Sequence, residues 1–303
     1  MSNPKCAFIT GIDSFTGRYL TAELTNHGYE VFGSTRHATG KANEVPCDIN
    51  DQDTLTEILR RFQPAVIAHL AAITFAAHGS GIEVYKTNLL GTYSLLEAIA
   101  VSGVSLRKLL LVSSAHVYGN QPQSPIEEHF LPIPPNDYAV SKLAIENLAR
   151  LRFDRLPTVV VRPFNYTGIG QSSNFLIPKM IDHFARQAPE IELGNTEVAR
   201  DFSDVRDVAE IYRRLIDGEA HSVIVNVCSG KSHPLSKILE ILTELSGYNL
   251  PIRVNPAFVR SNDVKALWGN NSLLRSLIGP LPSRPLEETL LWMYEAEVAA
   301  AVV

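Results

Sequence analysis

The chain has 303 residues, a formal charge of −5, 45% hydrophobic residues and 19% charged ones. This is a globular composition, long enough for one large domain or two joined ones. The mild acidity and the want of a Lys/Arg run exclude a general nucleic-acid binder, which must neutralise a row of phosphates.

Taken in chain order, "CAFIT" (Cys6–Thr10) is a short apolar run ending at Gly11 and reads as a buried strand. "GRYLTAELTNHG" has helical spacing at Tyr19, Leu20 and Leu24 and stops at Gly28. "YEVFGSTR" is a second strand; "DQDTLTEILRRF" is a helix capped by Asp51 or Asp53, with Leu55, Ile58, Leu59 and Phe62 on one face. Then come a strand "AVIAHLAA", a long helix "VYKTNLLGTYSLLEAIAVSG", a strand "LRKLLLVSS", a helix "YAVSKLAIENLARL" and a strand "TVVVRPFN". Strands that are continuous apolar runs, alternating with helices, predict an α/β fold: a Rossmann-type doubly wound parallel sheet with helices on both faces. After Asn165 the rhythm loosens, and helices such as "LIPKMIDHFARQ" and "PLSKILEILTELSG" mix with Gly-, Pro- and Asn-bearing segments. We expect a dinucleotide-binding domain over 1–165 and a smaller α/β lobe over 166–303, with "VIVNVC" the best candidate to return to the main sheet.

The cysteines, Cys6, Cys47 and Cys228, are far apart and in apolar contexts, so they read as small buried hydrophobes in a reducing compartment. No cysteine pair has zinc spacing, and no metal site is expected. The start "MSNPKCAFIT" shows no cleavable signal, and no apolar run is long enough to span a bilayer. The expectation is a cytoplasmic protein without a membrane partner.

Two stretches carry chemistry. "TGIDSFTG" joins the first strand to the first helix, where glycines permit a tight turn and close approach to a pyrophosphate at the helix N-terminus. Gly11 and Gly17 are present, but the middle glycine position is Ser14; either the pyrophosphate sits slightly displaced or the serine hydroxyl donates to it. At the end of the second strand, "FGSTRH" has no acid to hold ribose hydroxyls and does have Arg36, suited to a 2′-phosphate. That favours NADP(H), with NAD(H) the alternative; a solvated surface arginine is the plainer reading of Arg36. Asp48 in "CDI" is spaced either to meet an adenine amino group or to cap its own turn. The second stretch is "YAVSK", which places Tyr138 and Lys142 one turn apart on one helical face.

With "TGIDSFTG", "CDI", "HLAA", "TNLLGTYSLLEA", "VSSAHVYG", "YAVSK" and "RPFNYTG" in this order, the chain resembles the extended short-chain dehydrogenase/reductase family, in its nucleotide-sugar-modifying branch. The resemblance implies that Phe15, Thr16, Ile49, Leu70, Ala71 and Ala72 line the cofactor with the residues above. It implies that Tyr138 protonates a carbonyl oxygen as hydride arrives, that Lys142 lowers the tyrosine's pKa and binds the nicotinamide ribose, and that Ser114 holds the same oxygen. Asn88 matches the family's helix asparagine near the site, or merely satisfies local backbone. Sugar 4,6-dehydratases of this branch carry an acid after the serine; here Ala115 and His116 stand there, which counts against dehydration. His116 either titrates in the site or packs against the sheet end, the second reading being preferred.

The second half, "FLIPKMIDHFARQ" to "DFSDVRDVAEIYRRLI" and then "RSNDVKALWGNNSLLRSLIG", is most similar to GDP-6-deoxy-4-keto-mannose reductases. By position, Thr74 would bond the hexose, Asn165 the sugar or diphosphate, Lys179 the nucleotide, and Arg200 and Arg260 the diphosphate. Arg200 is open to a second reading, pairing with Asp201, Asp204 or Asp207. Pro280 stands where the family has Trp, which loosens the assignment of sugar and base. The expected substrate is a GDP-sugar. The helices Val84–Val101 and Tyr138–Arg152 resemble those that form a four-helix dimer interface in this family, and the resemblance implies a homodimer, unless their apolar positions face the sheet.

Overall fold

The computed structural model describes residues 5–74, 80–256 and 266–301. The order is β1 (Cys6–Thr10), α1 (Phe15–Asn26), β2 (Glu30–Thr35), β3 (Glu44–Pro46), α2 (Gln52–Phe62), β4 (Val66–His69), α3 (Gly81–Val84), a π-helical segment Tyr85–Leu90, α4 (Gly91–Ser102), β5 (Lys108–Val112), a 3-10 turn Ala115–Tyr118, α5 (Asp137–Arg150), β6 (Thr158–Pro163) and β7 (Asn165–Thr167). It continues through α6 (Leu176–Ala185), β8 (Ile191–Leu193), β9 (Ala199–Arg200), β10 (Phe202–Asp204), α7 (Val205–Asp217), β11 (Val223–Val227), β12 (His233–Pro234), α8 (Leu235–Ser246), β13 (Ile252–Val254), β14 (Ala266–Leu267), α9 (Ser272–Ile278) and α10 (Leu286–Ala301).

Seven parallel strands form the main sheet in the order β11-β6-β5-β4-β1-β2-β3. Every residue of β1 and β6 is buried, which explains why both read as unbroken apolar runs. Helix α2 is capped by Asp51, not Asp53: the Asp51 carboxylate accepts from the Thr54 amide at 3.0 Å. As expected, "VIVNVC" returns as β11 beside β6. The order in which strands are added to the sheet reverses between β1 and β4, so the crevice outside their carboxyl ends collects the loops after β1, β4 and β5.

The expected long helix after β4 is instead three segments, with a π-helical turn at its centre. Asn88 sits in that turn and is buried. Its carbonyl takes the Thr92 hydroxyl at 2.6 Å, and its side chain reaches across to the β4 loop. Such local competition for backbone groups is not visible in apolar spacing.

A second core lies in the C-terminal lobe, where Met180 and Phe184 of α6, Ile238 and Leu242 of α8, and Leu290 and Met293 of α10 pack together. Small strand pairs, β7 with β10, β8 with β13, and β9 between β12 and β14, border it.

Candidate active site

The β1–α1 turn is built for close approach. Gly11 has φ +69°, a left-handed value that suits glycine. A Cβ on Gly17 would lie 2.4 Å from the Gly11 carbonyl oxygen, so no larger residue fits. Ser14 caps α1, accepting from the Gly17 amide at 3.0 Å; this leaves its own proton to donate. The remaining first-turn amides, of Phe15 and Thr16, belong to a helix end that favours an anion. The Thr16 hydroxyl pairs with the Tyr166 hydroxyl at 2.8 Å, and Phe15 stacks on the Tyr166 ring with centroids 6.0 Å apart. These residues fit a dinucleotide pyrophosphate.

Around the turn, a buried polar network joins three loops. The Thr10 hydroxyl accepts from the amides of Leu70 and Ala71, both at 3.1 Å, and donates to His69 Nδ1 at 2.7 Å. Because the Thr92 hydroxyl donates to the Asn88 carbonyl, it accepts from His69 Nε2 at 2.8 Å. His69 is therefore neutral with its proton on Nε2; burial, then the charge of Lys142, pushes it down to about 3. Asn88 accepts from the Ile73 amide at 2.8 Å and donates to the Ile73 carbonyl and the Ser141 hydroxyl, both at 3.1 Å. Its local role is to satisfy backbone and to tie the β4 loop to α5. Ala72 lies in that partly buried loop. Ile49 is buried and packs over Gly91. Asp48 closes its own turn, accepting twice from Asn50 at 2.9 Å, and those bonds hold it below the usual carboxylate range. Arg36 is exposed beyond β2, near enough to Asp48 to add to that lowering.

Ser114, His116, Tyr138 and Lys142 come together at the end of β5. Ser114 caps the 3-10 turn, accepting from the His116 amide at 3.1 Å, with His116 Nδ1 also 3.1 Å from its hydroxyl. The rings of His116 and Tyr138 meet edge to face, centroids 5.9 Å apart. His116 is exposed, not packed against the sheet end as preferred from the sequence. The reason is the 3-10 turn, which sends Val117 and Tyr118 inward and His116 outward. Lys142 Nζ is 5.9 Å from the Tyr138 ring centre and donates to the Val112 carbonyl at 2.7 Å.

Burial dominates the electrostatics of the pair: it pushes Tyr138 up to about 12, opposed by its interaction with Ser114. Burial also pushes Lys142 down to about 8, against the pull of Glu146. Desolvation outweighs a single neighbouring charge that is itself desolvated. The resting site holds a protonated phenol.

Three other expected residues donate to backbone carbonyls. Asn165 donates to the Asp201 carbonyl at 3.1 Å, Lys179 to the Glu192 carbonyl at 2.8 Å, and Arg200 to the Ala199 carbonyl at 2.9 Å. The acids weighed as partners for Arg200 have other ones. Asp201 accepts from Ser229 and Gly230, Asp204 pairs with Arg206 at 2.6 Å, and Asp207 pairs with Arg284. Thr74 is exposed at the edge of the described segment, and Arg260 lies outside the described residues. The sequence reading missed His69, Thr10 and Tyr166. A histidine and a threonine ending otherwise apolar strands were the available signal for the first two.

The family model described as "NAD dependent epimerase/dehydratase family" matches residues 7–228. The chain belongs to that family. It is an NAD(P)(H)-dependent oxidoreductase/epimerase of the extended short-chain dehydrogenase/reductase type. The GDP-6-deoxy-D-talose 4-dehydrogenase of Aggregatibacter actinomycetemcomitans is 34% identical, over 89% of this chain and 90% of its own. The GDP-6-deoxy-D-mannose reductase of Pseudomonas aeruginosa is 33% identical, over 93% and 94%. Among solved structures, RMD from Pseudomonas aeruginosa complexed with NADPH superimposes with a TM-score of 0.88 at 29% identity, covering 98% of this chain and 99% of its own. A Thermus thermophilus UDP-glucose 4-epimerase complexed with NAD gives 0.86 at 25% identity, covering 97% and 99%.

Proposed function

We propose that this enzyme reduces the C4 ketone of a GDP-4-keto-6-deoxyhexose with NADPH, giving GDP-6-deoxymannose or its C4 epimer GDP-6-deoxytalose. The observation that carries the reading is the geometry that brings the Tyr138 phenol and the Lys142 ammonium together beside Ser114 and His116 at the end of β5. Reduction needs an acid loaded before the reaction, and a phenol pushed up to about 12 is one. When bound, the cofactor supplies the hydride. Tyr138 gives its proton to the C4 oxygen, the Ser114 hydroxyl donates a hydrogen bond to the same oxygen, and the Lys142 ammonium stabilises the phenolate that remains. The two relatives that act on GDP-6-deoxyhexoses support the substrate class. Arg36, with no acid at the end of β2, supports NADP(H) over NAD(H). Thr74, Asn165, Lys179, Arg200 and Arg260 would hold sugar and nucleotide, and His116 would face the hexose.

The comparisons favour a second reading, an NAD-dependent nucleotide-sugar epimerase, more than this one. The family description names epimerases, and UDP-glucose 4-epimerases match over nearly the whole chain, one of the solved ones complexed with NAD. An epimerase must first oxidise its substrate, so its tyrosine must start as phenolate. Purified protein given GDP-4-keto-6-deoxymannose separates the readings. Stoichiometric NADPH loss, with a 6-deoxymannose or 6-deoxytalose product resolved by NMR, is the expected result. Tightly retained NAD, with no NADPH use on the keto-sugar and C4 interconversion of a GDP- or UDP-hexose supplied in its place, would overturn the reductase and establish the epimerase.

Exposed Leu90, Tyr93 and Val101 along the π segment and α4, with exposed Val140 on α5 and Leu151 at its end, support self-association as a homodimer through these helices. Sedimentation equilibrium should show twice the chain mass; a monomer at tens of micromolar would remove the proposal.

A further inference from the structure

A carboxylate lies directly behind the reacting residues. Glu146 follows Lys142 by one helical turn and Tyr138 by two, so the three share a face of α5. It is completely buried. Its Oε1 accepts from the Ser113 hydroxyl at 2.5 Å and from Arg162 Nε at 2.8 Å, and its Oε2 accepts from Arg162 Nη2 at 2.6 Å. Arg162, 1% exposed, also donates to the Glu128 carbonyl at 3.3 Å and lies 4.7 Å from the Tyr118 ring centre. Ser113 is the residue before Ser114. One carboxylate thus joins α5, β5 and β6 at the point where each bears on the site.

A buried ion pair is a poor device for merely holding a helix on a sheet, since apolar residues of equal volume do that as well or better. A buried ammonium, by contrast, loses its charge readily unless a fixed anion opposes its desolvation. We infer that Glu146 is a positioning residue of the redox site: clamped by Arg162 and Ser113, its carboxylate supplies the buried negative charge that keeps Lys142 an ammonium bonded to the Val112 carbonyl. The inference rests on the reading of Lys142 given under Proposed function. The groups facing Lys142 are Tyr138 and Glu146 from its own helix, His69 from β4 and the Val112 carbonyl from β5, with Arg162 of β6 behind Glu146. His69 is held neutral by burial and adds no competing charge, and the phenol stays protonated. Among the described residues, the charge that raises Lys142 is that of Glu146.

Glu146→Gln keeps the hydrogen-bonding shape but strands the Arg162 charge. The paired variant E146L/R162M removes both charges at similar volume. The first measurement is a ¹⁵N NMR titration of the lysine Nζ signals, with Lys142 assigned by its loss in Lys142→Met. In both variants Lys142 should titrate lower, by about one unit or more in Glu146→Gln, where the stranded Arg162 charge adds to the loss of the anion, and by less in the paired variant. The second is kcat against pH with GDP-4-keto-6-deoxymannose and NADPH. Its alkaline limb should move down by the same amount while KM stays within about threefold, a split that loosened packing alone would not give. A folded variant of either kind with an unmoved Lys142 titration overturns the inference. Failure of both variants to fold assigns the pair to folding alone and overturns it too. The NMR titration needs no substrate. A shifted Lys142 in an enzyme whose wild type never turns over the keto-sugar therefore counts against the proposed function and leaves this inference standing.

Discussion

Replacing Tyr138 by Phe removes a hydroxyl and keeps the ring, and the size of its effect follows from the burial of the phenol. With Tyr138 pushed up to about 12, only about one molecule in 10⁵ holds the phenolate at pH 7. Reduction starts from the phenol and finds its acid fully loaded. The reverse oxidation needs the phenolate beside a charged Lys142, so it gains about tenfold for each unit of pH from 6 until Lys142 loses its proton near 8. The reductive rate should accordingly be flat from pH 6 until Lys142 loses its proton near 8. Loss of a positioned general acid costs about 10²–10⁴-fold in kcat, so Tyr138→Phe should fall by that factor with KM nearly unchanged. The same substitution should abolish the pH dependence of any residual oxidation. Initial rates in both directions, followed by nicotinamide absorbance at constant ionic strength, test this. A Tyr138→Phe enzyme within tenfold of the wild type, or wild-type oxidation flat across pH 6–8, would refute the reasoning.

Arg36→Ser should raise the KM for NADPH by about 10–100-fold, the worth of a charge-assisted hydrogen bond, and leave that for NADH unchanged in cofactor titrations. Gly17→Ala, whose methyl meets the Gly11 and Ile12 carbonyl oxygens at 2.4 and 2.6 Å, should abolish cofactor binding by calorimetry and lower the melting temperature. Asp201→Ala orphans the Ser229 and Gly230 amides it holds at 2.9 and 3.0 Å, so urea unfolding should show a loss of about 3 kcal/mol or more. His69 is pushed down to about 3 in the fold, whereas the unfolded chain binds a proton near 6.5. Its contribution to stability is therefore whole above pH 6.5 and shrinks by up to about 1.4 kcal/mol per unit as the pH falls towards 3. Chemical denaturation of wild type and His69→Asn between pH 5 and 7 should show that slope only in the wild type.

The sequence by itself determined the sheet and its cofactor end. Strands buried on both faces must be apolar throughout, as "CAFIT" and "TVVVRP" are, and a turn with Gly11 and Gly17 is dictated by steric limits a sequence displays openly. It also placed Tyr138 and Lys142 on one face, because helical spacing is a local property. Only the tertiary structure decided what those residues are chemically. The phenol's rise and the lysine's fall come from desolvation, which depends on everything packed around them and on no neighbour in the chain. The same holds for Glu146 and Arg162, two unremarked charges on α5 and β6 until the fold brings them to 2.6 Å, and for His69, whose tautomer is set by Thr10 and Thr92 from two other elements. Local geometry is written in the order of residues; electrostatics belongs to the enclosure they build together.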